Sequence, residues 1–129
     1  MTLRKPKIYF DGHSFDLPYD DQAQPRKGLE NKAKLYIEQQ VKENKLILIP
    51  SETSEFKENA DVISIAKEIS SKGVADDDAI HVAYAIYTDC DFFISADSML
   101  LKFRDNRIRL INPVDFIMMK APFDFAAAI

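Results

Sequence analysis

The chain has 129 residues, 47% hydrophobic and 29% charged, with a formal net charge of −4 at pH 7. That length suits one domain spanning residues 1–129 around a single core. The negative balance argues against tight non-specific nucleic-acid binding through a global field, though not through a local basic patch.

Three glycines are few for an all-β design, and no apolar stretch is long enough to cross a bilayer. A membrane partner is therefore not expected. The opening MTLRKPKIYF has positive charge but no following apolar region with a small-residue cleavage site, so a secretory signal is not expected. Cys90, the one cysteine, rules out an internal disulfide framework and reads as a small buried hydrophobe. A reducing cytoplasm is the natural location for such a chain.

In chain order, KIYF ending at Asp11 predicts a short buried strand. HSFDLPYDDQAQP predicts a loop, whose last acids lead into a helix over about 22–43. In that helix Ala33, Tyr36, Ile37 and Val41 keep helical spacing, although Gly28 weakens its first turns. KLILIP predicts a second strand stopped by Pro50. A further helix carries Val62, Ile65, Ala66 and Ile69 and ends near Gly73, a residue free to adopt the left-handed cap conformation.

The stretch DDDAIHVAYAIY then places three aspartates ahead of an almost wholly apolar helix, expected to be largely buried with Tyr84 and Tyr87 in the core. Asp76 or Asp77 is expected to cap it, and acids in a first turn suit the helix dipole. CDFFISA predicts a central parallel strand. Asp97 and Ser98 stand where an N-cap belongs, ahead of Met99, Leu100, Leu101 and Phe103. IRLIN predicts a last strand stopped by Pro113, and VDFIMM a final helical turn. The tail APFDFAAAI, with Phe123, Phe125 and Ile129, is either disordered or packed against a partner.

Strands separated by helices point to an α/β domain with a mostly parallel sheet. Ligands of such sheets gather beyond the carboxyl ends of the strands. Asp11 and Asp97 both fall at carboxyl ends, so they are expected on the same sheet edge. Asp78 joins them if its helix begins there. Three converging aspartates without a basic partner would repel one another and tend to stay protonated. A hard divalent cation such as Mg2+ or Mn2+ removes that conflict. The competing reading of these aspartates is generic helix capping.

KIYFDGHSFDLPYDDQ, DDAIHVAYAIYTDCDFFISADSMLLK and IRLINPVDFI together resemble the PIN-domain family of metal-dependent nucleases. That family includes the toxin ribonucleases of bacterial toxin–antitoxin pairs, the virulence-associated protein C type among them. The most specific piece is the Asp-Ala-Ile-His-Val-Ala run at 78–83, followed by a Cys-Asp-aromatic-aromatic strand and Asp97. The likeness covers the N-terminal strand and loop and the region from Ile63 to Ile117. It implies a PIN-like three-layer α/β/α sandwich, a bound Mg2+ or Mn2+, and endoribonuclease activity. Asp11, Asp78 and Asp97 take the places of three conserved acidic metal-site residues. The family usually supplies another acid, often Glu, on a helix after the second strand. Here that interval is shortened: Glu55 is the best candidate, Glu52 and Glu58 are alternatives, or the position has no counterpart.

The resemblance further implies an RNA substrate, a homodimer and an antitoxin-like protein partner. Lys102 and Arg104, just past Asp97 and part of a basic cluster with Arg107 and Arg109, are candidates for steering the RNA backbone. The bland reading of that cluster is a solvated face. His13 stands two residues after Asp11 and is a candidate substrate contact, against a loop histidine with no role. His81 is expected to be packed, making a structural hydrogen bond. The rival to a nuclease is a catalytically degenerate PIN-like module that binds RNA or protein without cutting. A fold holding some other phosphorylated ligand lacks the Gly-rich loop it would need.

Overall fold

A computed structural model describes residues 5–11, 25–50 and 58–119. Among them, short apolar runs form β1 (Lys7–Phe10), β2 (Ile47–Leu48), β3 (Phe92–Ile94) and β4 (Arg109–Ile111). The helices are α1 (Pro25–Lys42), α2 (Ala60–Ser70), α3 (Asp76–Tyr87) and α4 (Pro113–Met118). The strands make one four-stranded sheet in the order β2-β1-β3-β4, every pairing parallel.

The two-residue repeat of a strand sends neighbouring side chains to opposite faces, and here both faces are covered. Ile8, Phe10, Ile94 and Ile111 pack with Ile37 of α1 and Phe116 of α4. Tyr9 and Phe93 point the other way, into a core shared with Val62 and Ile69 of α2 and Val82 of α3. Helices on both faces of a parallel sheet give the α/β class expected from the alternation of elements, in three layers. The Tyr9 and Phe93 rings stack at 5.3 Å with 11° between planes, and Tyr84 meets Tyr9 edge-on at 6.1 Å. Among the described residues no helix is long and apolar enough to cross a membrane.

Several local expectations need correction. α1 runs through Gly28, which is buried, and the expected start near Gln22 lies outside the described residues. Tyr36 is 49% exposed, and Glu30 and Gln40 are buried on the core face of α1 instead. β2 is only two residues long, both exposed at the sheet edge. α2 starts at an Asn59 cap, whose side chain accepts from the Asp61 and Val62 amides at 2.9 and 3.1 Å. It ends on Ser71, two residues before the expected stop, with Gly73 at φ +99° turning the chain toward α3. The apolar run after Asp97 forms only a single 3-10 turn, Leu100–Lys102. Only Leu100 of that turn is buried and Met99 is 70% exposed, so a longer helix would have had no face to bury. Pro113 begins α4 at a first-turn position, behind an Asn112 cap, where its missing N–H is not needed.

The strand order also fixes where a ligand would sit. The β1–α1–β2 connection crosses one face, while α2 and α3 carry the chain back over the other face to β3, on the far side of β1. The carboxyl ends of β1 and β3 therefore flank the switch point, the usual crevice of an open parallel sheet.

Candidate functional site

Asp11 follows β1 directly and is 7% exposed. Its amide donates to the Ile94 carbonyl at 2.8 Å, extending the β1–β3 pairing one residue beyond the strand and fixing Asp11 beside β3. Fully buried Ser95 closes β3, with its amide on the Ile111 carbonyl at 3.1 Å. Its hydroxyl donates to Asp11 Oδ2 at 2.8 Å and accepts from the Asp97 amide at 3.0 Å. One hydroxyl thus joins the loops after both switch-point strands. Asp97 Oδ1 accepts from the amides of Met99 and Leu100 at 2.9 and 3.3 Å, capping the 3-10 turn. Its other oxygen has no hydrogen-bond partner among the described residues.

The third carboxylate comes from α3. This helix runs back against the strand direction into β3, so its N-terminus lies at the carboxyl edge of the sheet. The expected Asp cap is absent: Ala75 holds the N-cap position without a side-chain bond, and Asp76, Asp77 and Asp78 are the first three helical residues. There the acids act through the helix dipole instead of as a cap. They also separate in role. Asp76 accepts from Ser70 Oγ at 2.8 Å, tying the end of α2 to the start of α3, and Asp77 is exposed. Asp78 is half-buried, and its carboxyl is pushed above the usual carboxylate range by burial first, then by Asp11 and Asp97, with His81 opposing. Asp11, Asp78 and Asp97 therefore share one electrostatic neighbourhood. Neither Asp78 nor Asp97 enters an ion pair among the described residues.

Among the described residues no three His, Cys, Asp or Glu side chains already stand as a ligand set around one point. Glu55, with Glu52 and His13, lies outside the described residues, and Glu58 is exposed just ahead of the Asn59 cap. The donor chemistry nevertheless fits Mg2+ or Mn2+: hard carboxylate oxygens, mutual repulsion, and an acid whose charge is disfavoured until something positive arrives.

The remaining candidates separate clearly. Lys102 lines a cavity of about 370 Å3 together with Asp78 and Asp97, whereas Arg104 lines a larger groove of about 1070 Å3 along β4. That groove is the bigger concavity, but Asp89, Asp91, Asp105 and Asp115 line it with the arginines, and Asp11, Asp78 and Asp97 do not. The chemistry argues for the smaller one. Arg107 is committed to Asp105 at 2.8 Å and Glu68 at 3.2 Å, and its hydrogen bonds hold the Asp105 carboxyl down to about 2. His81 Nδ1 and the Tyr9 hydroxyl share a hydrogen bond at 2.6 Å, the structural role expected of a packed histidine. Burial, then Asp11, pushes the Tyr9 phenol well above its ordinary range, so it stays protonated. Cys90 is buried and its thiol is pushed up by that burial. Tyr84 packs in the core, but Tyr87 is 45% exposed, correcting its expected burial.

Two features of this edge escaped the sequence reading. Ser95 was legible only as the polar end of FFIS, two residues before Asp97. Glu30 keeps helical spacing with Ala33 and Ile37, which puts it on the buried face, where it accepts from Asn112 Nδ2 just beyond β4. Replacing Ser95 by Ala is expected to cost about 1.5–3 kcal/mol, the range for a hydrogen bond to a charged group. It should also loosen Asp11 and Asp97 together. Denaturant melts with and without Mn2+ check this, the expected result being a smaller Mn2+-induced stabilisation than in the wild type.

No family model, no curated protein and no solved structure matches the chain in sequence or structure comparisons. The fold class thus rests on the described residues themselves: an all-parallel four-stranded α/β sheet, with Asp11 and the Asp97 loop joined through Ser95 at its carboxyl edge.

Proposed function

We propose that the chain is a PIN-type, divalent-metal-dependent endoribonuclease. The observation that carries this reading is geometric: Ser95 ties Asp11 to the Asp97 loop, and Asp97 lines one cavity with half-buried Asp78 at the carboxyl edge of the sheet. Asp11, Asp78 and Asp97 would hold Mg2+ or Mn2+, with Glu55 as the candidate further acid. The ion would supply an activated water and offset the charge that develops on the departing oxygen of a phosphodiester.

The chain's own groups do the rest. Ser95 fixes the spacing between Asp11 and the Asp97 loop. Asp97 caps its turn with one oxygen and keeps the other for the ion. Lys102, exposed on the cavity wall, attracts the RNA backbone, and Arg104 extends that attraction toward β4. A toxin role, with a homodimer and an antitoxin-like partner, belongs to the same proposal. Exposed Leu29, Leu35 and Tyr36 on α1 support a protein contact.

The absence of a ready three-residue ligand set among the described residues favours one second reading, an RNA-binding or protein-interaction module that no longer cuts. Incubating a structured RNA with the protein, with Mn2+ and then with excess chelator, separates the two. Internal cleavage that chelation abolishes is the expected result. Unchanged RNA, with binding retained, supports the non-cutting module.

A further inference from the structure

The cavity of about 370 Å3 beside the acids is larger than a hydrated ion requires. Six waters around an octahedral cation fill roughly 180 Å3 at about 30 Å3 each. The cavity also has three kinds of wall. Asp78 and Asp97 form one, Lys102 and Lys72 contribute cations, Lys72 from an exposed 3.9 Å pair with Glu68, and Met99 and Phe103 are apolar. Asp11 is not among the lining residues, so the cavity extends from the acids toward the α2–α3 turn, away from β1. Met99 is 70% exposed at this site, an apolar side chain open to whatever enters the cavity. Its flexible thioether is suited to lie against a flat ring.

An anion-binding end, a metal-binding edge and an apolar wall within one nucleotide-sized space match a single nucleotide. We infer that this cavity seats the one nucleotide next to the scissile phosphate, with Met99 and Phe103 against its base and Lys72 and Lys102 toward its phosphates. Met99 and Lys72 are then residues that determine which nucleotide is preferred beside the cut. The inference rests on the nuclease reading, because the two carboxylates would repel a phosphate unless a cation lies between them. Nucleotide binding should therefore be stronger with Mg2+ than without it.

The test is titration of the isotope-labelled full chain with each of the four nucleoside 5′-monophosphates, with and without Mg2+, followed by NMR. The variants are Met99→Ala and Lys72→Gln, both at exposed positions whose replacement leaves the core intact. Saturable shifts at the Met99 methyl and at residues 72–75 and 99–103 are expected. They should be strengthened by Mg2+, unequal among the four bases, and weakened several-fold in each variant. Equal response to inorganic phosphate, or affinities unchanged in both variants, would overturn the base seat. If Mg2+ perturbs Asp11, Asp78 and Asp97 while no mononucleotide reaches the cavity, the seat alone is wrong. If Mg2+ perturbs none of the three, the nuclease reading falls with it.

Discussion

Asp97→Asn is expected to leave the metal-free protein as stable as the wild type, or more so, while Mn2+ binding and RNA cleavage fall together. The structure supplies the reason. Asp97 Oδ1 already caps the Leu100–Lys102 turn through the amides of Met99 and Leu100. An Asn side chain retains an equivalent oxygen, and Asn caps about as well as Asp. The amide nitrogen then replaces the second oxygen, which has no other partner among the described residues. A ligand is lost, a donor faces the cation, and one source of repulsion on Asp78 disappears. Cleavage should drop by at least about 100-fold, comparable with losing one electrostatic stabiliser of a transition state. If capping were the only role of Asp97, the variant would gain the same Mn2+-induced rise in melting temperature as the wild type.

Asp78→Asn carries the second large effect, and its signature is in the pH dependence. The folded-state pKa of Asp78 is raised, by burial first and then by Asp11 and Asp97. The native state therefore holds this proton more tightly than the unfolded chain, whose aspartates titrate near about 3.9. Below that value the group costs nothing. As pH rises through the window up to the raised folded value, the cost of charging Asp78 accumulates, and it stays at its full size above. The direction of the shift means that burial and repulsion outweigh the favourable helix dipole. Removing the charge relieves the cost only where it exists. The stability of Asp78→Asn relative to wild type should therefore improve from pH 3 to pH 7 in chelator, and Mn2+ should narrow or reverse the difference. Denaturant midpoints at the two pH values provide the check. A difference independent of pH would mean that burial and the other acids together leave Asp78 unshifted in the folded chain.

The parallel α/β class was legible because it depends on properties the sequence carries locally. Fully apolar runs such as FFI predict strands covered on both faces, and intervening amphipathic stretches predict the covering helices. The shared edge of Asp11 and Asp97 followed from the same logic, since each terminates a parallel strand. What failed was governed by three-dimensional competition. The Met99–Phe103 run looked helical, but its residues do not share a buried face. The Asp105–Ile108 bridge and the Arg107–Asp105 pair claim the chain soon after Lys102. Capping at α3 was misread because Ala75, with no side-chain donor or acceptor, begins the helix one residue early. Ser95 was passed over because a hydroxyl at a strand end has no sequence signature. Its role depends on which strand lies alongside, and that is fixed only by the β1–β3 pairing.

The most direct test of the central claim is the position of Mn2+ in crystals of the full chain grown with the ion, located by its anomalous scattering. The account predicts a peak bonded to carboxylate oxygens of Asp11, Asp78 and Asp97 at about 2.0–2.2 Å, the range expected for a small hard divalent ion. A peak elsewhere, or none at millimolar Mn2+, would contradict it.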